Sequence, residues 1–332
     1  MDIVALTRRL VDVESTTGSE GLVGEFLLAE LRKLEYTVKK MPVEPERFNV
    51  FATVPGKPKP ALVFSTHMDT VPPYFPSRED EERIYGRGAC DAKGILAAQI
   101  AAAERLRLQD IAVGLLFLVG EERDSLGAAV ANRRAPGSRF LINGEPTENK
   151  LALASKGTLR VLLTARGKSA HSAYPELGDS AIDKLLEALA RLRAMPLPSD
   201  PEIGACTLNI GILEGGQAPN VVPDHAQAHL LYRLIGPSTP LRREIEAAVK
   251  GLATVQFTLE IPFIRLRTLD GLPTMVAAFT SDAPSLDQWG EPLMLGPGSI
   301  HVAHTDDEYV EKQQLHQAVE LYCTVAKKLL AG

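Results

Sequence analysis

The chain of 332 residues is 45% hydrophobic and 23% charged, an ordinary globular make-up with room for two cores. Its net charge of -6 argues against a nucleic-acid backbone binder and leaves no polybasic patch for an anionic membrane. No apolar run approaches the roughly 18 residues that span a bilayer, and the first residues lack a signal-peptide pattern. Cys90, Cys206 and Cys323 are too scattered for a disulfide framework or a Cys-rich metal knuckle, which fits a reducing cytoplasm.

In "MDIVALTRRLVDVESTTGSE", Ile3, Leu6, Leu10 and Val11 recur at helical spacing and predict an amphipathic helix over 2–14. A second helix is expected over 19–34, then strands near 36–41, 48–53 and 61–66. "DAKGILAAQIAAAERLRLQ" again spaces its apolar residues for a helix. "IAVGLLFLVG" is an unbroken apolar run of strand length, which predicts a central strand buried on both faces. "SLGAAVANRRA" reads as a helix and "RFLING" as another buried strand. Strands alternating with helices predict an α/β fold, a mixed, mostly parallel sheet with helices on both faces.

Near residue 152 the texture changes. "GTLRVLLTARG" is an alternating strand, and the helix of "GDSAIDKLLEALARLRAM" has Ile182, Leu185, Leu186, Leu189 and Leu192 apolar. "ACTLNIGILEGG" and "AQAHLLYRLIG" form a hairpin pattern, "TPLRREIEAAVKGL" a helix capped by Thr239, and "VQFTLEIPFI" a last strand. The order β-α-β-β-α-β predicts a ferredoxin-like α+β unit with helices on one face of an antiparallel sheet. The α/β texture returns after it, with a C-terminal helix from about Lys312. The expectation is therefore a first domain over 1–153 and 263–332, interrupted by a second over 154–262.

Titratable residues gather where the first domain's strands should end: His67 and Asp69 in "HMD", Asp91 in "GRGACDAKG", Glu121 and Glu122 in "VGEERD", Glu145 in "NGEP", and a histidine in "HVAHTDDE". Open α/β sheets build their sites at the carboxyl ends of strands. Crowded carboxylates repel, so this set calls for a compensating cation. Two imidazoles with three carboxylates and no thiolate suit catalytic Zn²⁺, Co²⁺ or Mn²⁺, and one carboxylate can bridge two ions. No GxSxG elbow and no GxxxxGK[ST] loop is present.

"HMDTVP", "GRGACDAKG", "GEE" and a late "AH…DE", in that order, resemble the dizinc amidohydrolases that include acetylornithine deacetylase, succinyl-diaminopimelate desuccinylase and the glutamate carboxypeptidases. The likeness runs the whole length, inserted domain included, and implies a zinc-exopeptidase-like fold holding two Zn²⁺. It implies that His67 and Glu145 hold one ion, Glu122 and His304 the other, and that Asp91 bridges. Asp69 would orient the His67 imidazole. Glu121 would be the general base, taking a proton from the attacking water and handing it to the leaving nitrogen. Of the two histidines His301 and His304, the resemblance selects His304, just ahead of the acidic run. Glu148, Asp306, Asp307 and Glu308 are left to solvent or caps. A cis peptide after Asp91 is a further expectation. Ala92 stands where many relatives carry Met or Ile, which changes packing rather than chemistry.

In the inserted domain, "GKSAHSAYPELGDSAI" resembles the stretch whose histidine, here His171, steadies the developing oxyanion, often in the partner subunit's site. "GGQAPNVVPDHAQAHLLYRL" similarly offers Asn220 and Arg233 to the substrate, with Arg233 matched to a carboxylate. Gly298 in "GPGS" would let backbone approach the substrate. The resemblance thus implies a cytoplasmic homodimer, joined through the inserted domain, that hydrolyses a small N-acyl amino acid or a dipeptide. Within it the motifs sit nearest acetylornithine deacetylase, a deacetylase of amino-acid biosynthesis; a desuccinylase, metallo-carboxypeptidase or dipeptidase is the alternative. A non-catalytic descendant should have lost a ligand or Glu121, and none is missing.

Overall fold

A computed structural model, describing residues 1–331, divides the chain into two units. The first holds Met1–Leu153, Leu266–Met275 and the chain from Ser281 onward; the second holds Ala154–Arg265 and Val276–Thr280. The return expected at residue 263 thus falls at Leu266, and the excursion at 276–280 interrupts the returning chain with no change of composition to mark it.

The first unit contains α1 (Ile3–Val11), α2 (Gly21–Lys33), β1 (Thr37–Glu44), β2 (Arg47–Thr53), β3 (Leu62–His67), α3 (Lys93–Arg107), β4 (Gly114–Leu118), α4 (Leu126–Asn132) and β5 (Phe140–Asn143). The second contains β6 (Gly157–Arg166), α5 (Ala181–Ala194), β7 (Thr207–Gly215), β8 (His225–Leu234), α6 (Ser238–Ala248) and β9 (Thr254–Ile261). β10 (Glu291–Met294) and α7 (Lys312–Ala331) complete the first unit.

The first unit's sheet runs β1-β2-β4-β3-β5-β10. β1/β2 and β2/β4 are antiparallel, while β4/β3, β3/β5 and β5/β10 are parallel. All five residues of β4 are buried, because its alternate side chains enter two cores. Leu115 and Phe117 join the large core with α1, α2, α3 and α7. Leu116 and Leu118 join a smaller one with Trp289, Leu286, Ala128 and Ala131. An unbroken apolar run is what such two-sided burial requires. α1 opens on an Asp2 carboxylate that accepts the Ala5 N–H at 3.0 Å, an N-cap, and it buries the four apolar residues of its stripe.

Several polar groups lie deep in this unit, an ion pair among them. Glu20, fully buried, receives a fork of two hydrogen bonds from Arg47, at 2.7 and 2.6 Å. Arg47→Met leaves that carboxylate buried and unpaired, which should cost about 3–5 kcal/mol. Urea unfolding measures it, and a loss below about 1 kcal/mol would show that Glu20 finds water instead.

The second unit's sheet runs β7-β8-β6-β9, antiparallel throughout, and α5 and α6 cover one face around Leu185, Leu189, Leu192 and Ile245. Leu186, expected on the apolar stripe of α5, is 51% exposed. Ile212 and Leu213 on the edge strand β7 are exposed as well. The cap expected at Thr239 is absent: α6 starts at Ser238, so Thr239 lies inside the helix, and the Ser238 hydroxyl donates to Glu260 across the unit. Cys90, Cys206 and Cys323 are buried and free. Among the described residues no helix is long and apolar enough to cross a membrane.

Candidate metal centre

β3 runs out at His67, which leaves its imidazole at the carboxyl rim of the sheet. The ring's Nδ1 lies 3.0 Å from the Asp69 main-chain oxygen and 3.5 Å from Asp69 Oδ1. Asp69 is fully buried and accepts the Glu121 N–H at 3.1 Å, the Glu122 N–H at 3.3 Å and the Thr17 hydroxyl at 2.8 Å. The residue therefore acts on two neighbours at once. Its backbone meets the imidazole, and its carboxylate fixes the turn after β4 that carries both glutamates.

Asp91 lies just ahead of α3, and the Asp91–Ala92 peptide is cis. Its Oδ1 is 2.9 Å from His67 Nε2, and its Oδ2 is 3.5 Å from His304 Nε2. His304 Nε2 is also 3.0 Å from Glu122 Oε1. Donor atoms of His67, Asp91 and Glu122 all lie within 4.8 Å of one another. Glu145, two residues past β5, is buried, and its Oε1 has no hydrogen-bond partner. His301 is not part of this cluster: it is exposed, and its N–H turns to Ser299.

The charges confirm the crowding. Burial, then repulsion from Glu145, Asp282 and Glu122, pushes the Glu121 carboxyl well above the ordinary range. Burial and repulsion from Asp91 do the same to Glu145, and Glu122 is raised too, by burial and Asp91. Burial also works against an ionised Asp91, yet its bonds to His304 and His67 hold it low. The Asp91 bond to His304, with that of Glu122, pushes His304 up to about 10. In the bare chain, then, imidazolium charge offsets the carboxylates. Oxygen and imidazole donors with no thiolate, together with an unpartnered buried carboxylate oxygen, fit a divalent cation of the zinc, cobalt or manganese kind.

The sequence model of Peptidase family M20/M25/M40 matches residues 63–328. The chain belongs to this family. Peptidases of the M20 family are metal-dependent hydrolases, and this one is a peptide hydrolase of that kind. A Peptidase M20 domain-containing protein of Schizosaccharomyces pombe is 36% identical over 97% of this chain and 83% of its own length. A probable carboxypeptidase of Paracoccidioides lutzii is 36% identical over 96% of this chain and 84% of its own. Among solved structures, aminopeptidase PepT of Bacillus cereus superposes with a TM-score of 0.82 at 24% identity, covering 99% of this chain and 98% of its own. An M20 family metallo-carboxypeptidase of Sulfolobus solfataricus gives 0.76 at 15%, covering 98% and 99%. These likenesses establish the mixed α/β fold.

In this M20 peptidase the remaining residues expected at the site divide between the units. Gly298 belongs to the first. Its φ of +85° suits glycine, and a Cβ there would stand 2.5 Å from Cys90 Sγ, beside Asp91. His171, Asn220 and Arg233 belong to the second. There the Ser172 N–H donates to the Asn220 carbonyl at 3.0 Å, which brings the His171 and Asn220 loops together. Half-buried Arg233 donates to Thr158 Oγ1 at 2.9 Å, and burial with Arg160 beside it lowers its pKa.

Sequence reasoning passed over three residues of this M20 centre. Thr17 steadies Asp69, and Glu308, expected in solvent or a cap, is completely buried. Asp282 is buried beside the cluster, and neither carboxylate oxygen has a hydrogen-bond partner among the described residues. Burial, helped by Asp69 and Asp124, raises it from 3.8 to about 7. Native Asp282 thus keeps a proton that the unfolded chain releases between these values, so stability falls as pH rises through that window. In metal-free protein, Asp282→Asn should gain on wild type between pH 5 and 8 by up to a few kcal/mol, at about 1.4 per pKa unit. Urea unfolding at both pH values checks this; an unchanging difference would locate the titration elsewhere.

Proposed function

We propose that the protein is a two-metal exopeptidase that hydrolyses the amide bond of a short peptide or N-acyl amino acid bearing a free carboxylate. One observation carries the two-metal reading: the two oxygens of Asp91 face different histidines, His67 at 2.9 Å and His304 at 3.5 Å. A carboxylate so placed could bridge two ions. His67 and Glu145 would complete one ion's shell, Glu122 and His304 the other's. The bound dications would neutralise the carboxylates and polarise both the scissile carbonyl and the attacking water.

The side chains do the rest. Asp69 holds His67 and the Glu121–Glu122 turn in fixed relation. Glu121 takes the proton of the attacking water and delivers it to the amide nitrogen as the C–N bond breaks. The His171 Nδ1 accepts the Ala173 N–H at 3.1 Å, which leaves the ring proton on Nε2. That N–H is the donor for the developing oxyanion. Asn220 would hold the substrate by its amide, and Gly298 would let backbone come close to it. Arg233, seconded by Arg160, receives the substrate carboxylate. The name of the Paracoccidioides relative, a probable carboxypeptidase, supports release of a C-terminal residue. Acetylornithine deacetylation, which the motifs favour, is the second reading, and both need the same carboxylate contact.

The exposed Ile212 and Leu213 of β7 and Leu186 of α5 support pairing of two copies through the second unit. Sedimentation of Leu213→Glu against wild type tests it. For the reaction, the chelated protein is assayed with N-acetylornithine, succinyl-diaminopimelate, N-acyl dipeptides and free dipeptides, with Zn²⁺, Co²⁺ or Mn²⁺ restored. Turnover of acyl dipeptides above N-acetylornithine supports the carboxypeptidase reading, and the reverse order supports the deacetylase. Binding of fewer than two ions per chain would sink the two-metal reading.

A further inference from the structure

Glu308 lies four residues after His304 and is fully buried. Its Oε1 accepts three main-chain N–H groups, from Gly88 at 3.0 Å, Cys90 at 3.1 Å and Asp91 at 3.0 Å. Its Oε2 accepts the Arg87 guanidinium at 2.7 Å. The Glu308 main-chain carbonyl accepts the Gly86 N–H at 3.1 Å. Every one of these bonds leads into the 86–91 loop, whose last residue is Asp91.

Other bonds also hold the loop, from the Arg87 N–H to the Phe75 carbonyl at 3.2 Å, from Arg87 Nε to the Pro73 carbonyl at 3.1 Å and from the Ala89 N–H to the Gly86 carbonyl at 3.0 Å, but Glu308 is where three of its N–H groups converge. The loop leaves the short strand Arg83–Tyr85 and is neither helix nor strand until α3 begins. With Gly86 and Gly88 at φ of +143° and +88°, the loop turns the N–H groups of Gly88, Cys90 and Asp91 inward, forming a concavity that takes an anion. A buried carboxylate is costly unless such donors surround it, so anion and loop shape require each other. Tyr309–Glu311 pairs with Arg83–Tyr85 beside it. One side chain therefore joins the segment that delivers His304 to the loop that delivers Asp91.

We propose that Glu308 is a positioning residue for the metal centre: it locks the 87–91 loop to the His304 segment, so that Asp91 faces both histidines. This rests on the two-metal reading above. Glutamine cannot replace it. All four partners donate, so in either orientation the amide NH₂ meets a donor and the loop must shift.

The test is titration of chelated protein with Co²⁺, followed by calorimetry and by the visible spectrum of the bound ion. Wild type should bind two ions; if it does not, the two-metal reading fails and not this one. Glu308→Gln should remain folded, bind one of the two ions at least tenfold more weakly and show an altered Co²⁺ spectrum. Excess metal should recover part of kcat with KM unchanged. Asp307→Asn, an exposed neighbour, should match wild type in every readout. A folded Glu308→Gln with wild-type affinities and spectrum overturns the proposal, whatever its stability. If that variant does not fold, Glu308→Asp, which keeps the charge on a shorter arm, takes its place in the same titration. Wild-type affinities there, or failure of both variants to fold in excess Co²⁺, assign Glu308 to the fold alone.

Discussion

Glu121→Gln should lower kcat by about 10²–10⁴-fold, the span of a positioned general base, and leave the number of bound metal ions unchanged. The substitution is selective because of how the turn is held. Asp69 takes the main-chain N–H of residue 121, not its side chain, so the variant keeps that bond and the place of Glu122 beside it. What disappears is an oxygen able to carry a proton. The bare chain shows why this carboxyl suits the task. Burial and three neighbouring acids raise its proton affinity well above that of a free glutamate. Dications placed among those acids would draw it back toward neutrality, where a base can both accept a proton and surrender it. Steady-state kinetics with metal analysis on the same samples decides the matter. A variant within tenfold of wild type would move the base to another residue; a variant that has lost metal would make Glu121 a ligand.

The motif residues were legible for a physical reason. Apolar runs such as "ALVFS" and "IAVGLLFLVG" announce strands, and polar residues that follow them at once must lie at the sheet's carboxyl rim. That argument reaches His67, Asp69, Glu121, Glu122 and Glu145 without knowledge of tertiary contacts. It cannot rank acids inside a run. In "HTDDEYV", Asp307 is almost wholly exposed and Glu308 fully buried, and nothing local separates them. The difference is made by loop N–H groups more than two hundred residues away in sequence. Asp282 was hidden in the same way, since "TSDAPS" has the composition of a surface turn. Leu186 fails in the opposite sense: helical spacing marks a stripe, but only packing decides how wide the covered part is. His304 adds a backbone feature outside any pattern, a φ of +63°, which few residues adopt.

Asp91→Asn should reduce kcat/KM by at least about a thousandfold, and for a different reason from Glu121→Gln: it should cost the centre at least one of its ions. Asp91 is the only residue of the cluster whose two oxygens engage two histidines. Asparagine offers one oxygen and one NH₂ group, so one imidazole gains a donor in place of an acceptor. The variant should hold at most one ion where wild type is proposed to hold two, and added metal should not restore the second. The pH dependence of binding gives a second readout. In the bare chain Asp91 and Glu122 keep His304 protonated up to about pH 10. A ligating imidazole must be neutral, so binding expels that proton and affinity rises with pH. Removing the Asp91 charge weakens the proton's hold on His304, and the slope of affinity against pH should flatten in the variant. Calorimetry at pH 6 and pH 8 measures both effects. Two ions bound at wild-type strength by Asp91→Asn, with the same slope, would mean that the bridge lies elsewhere in the cluster and that the geometry around Asp91 reflects hydrogen bonding alone.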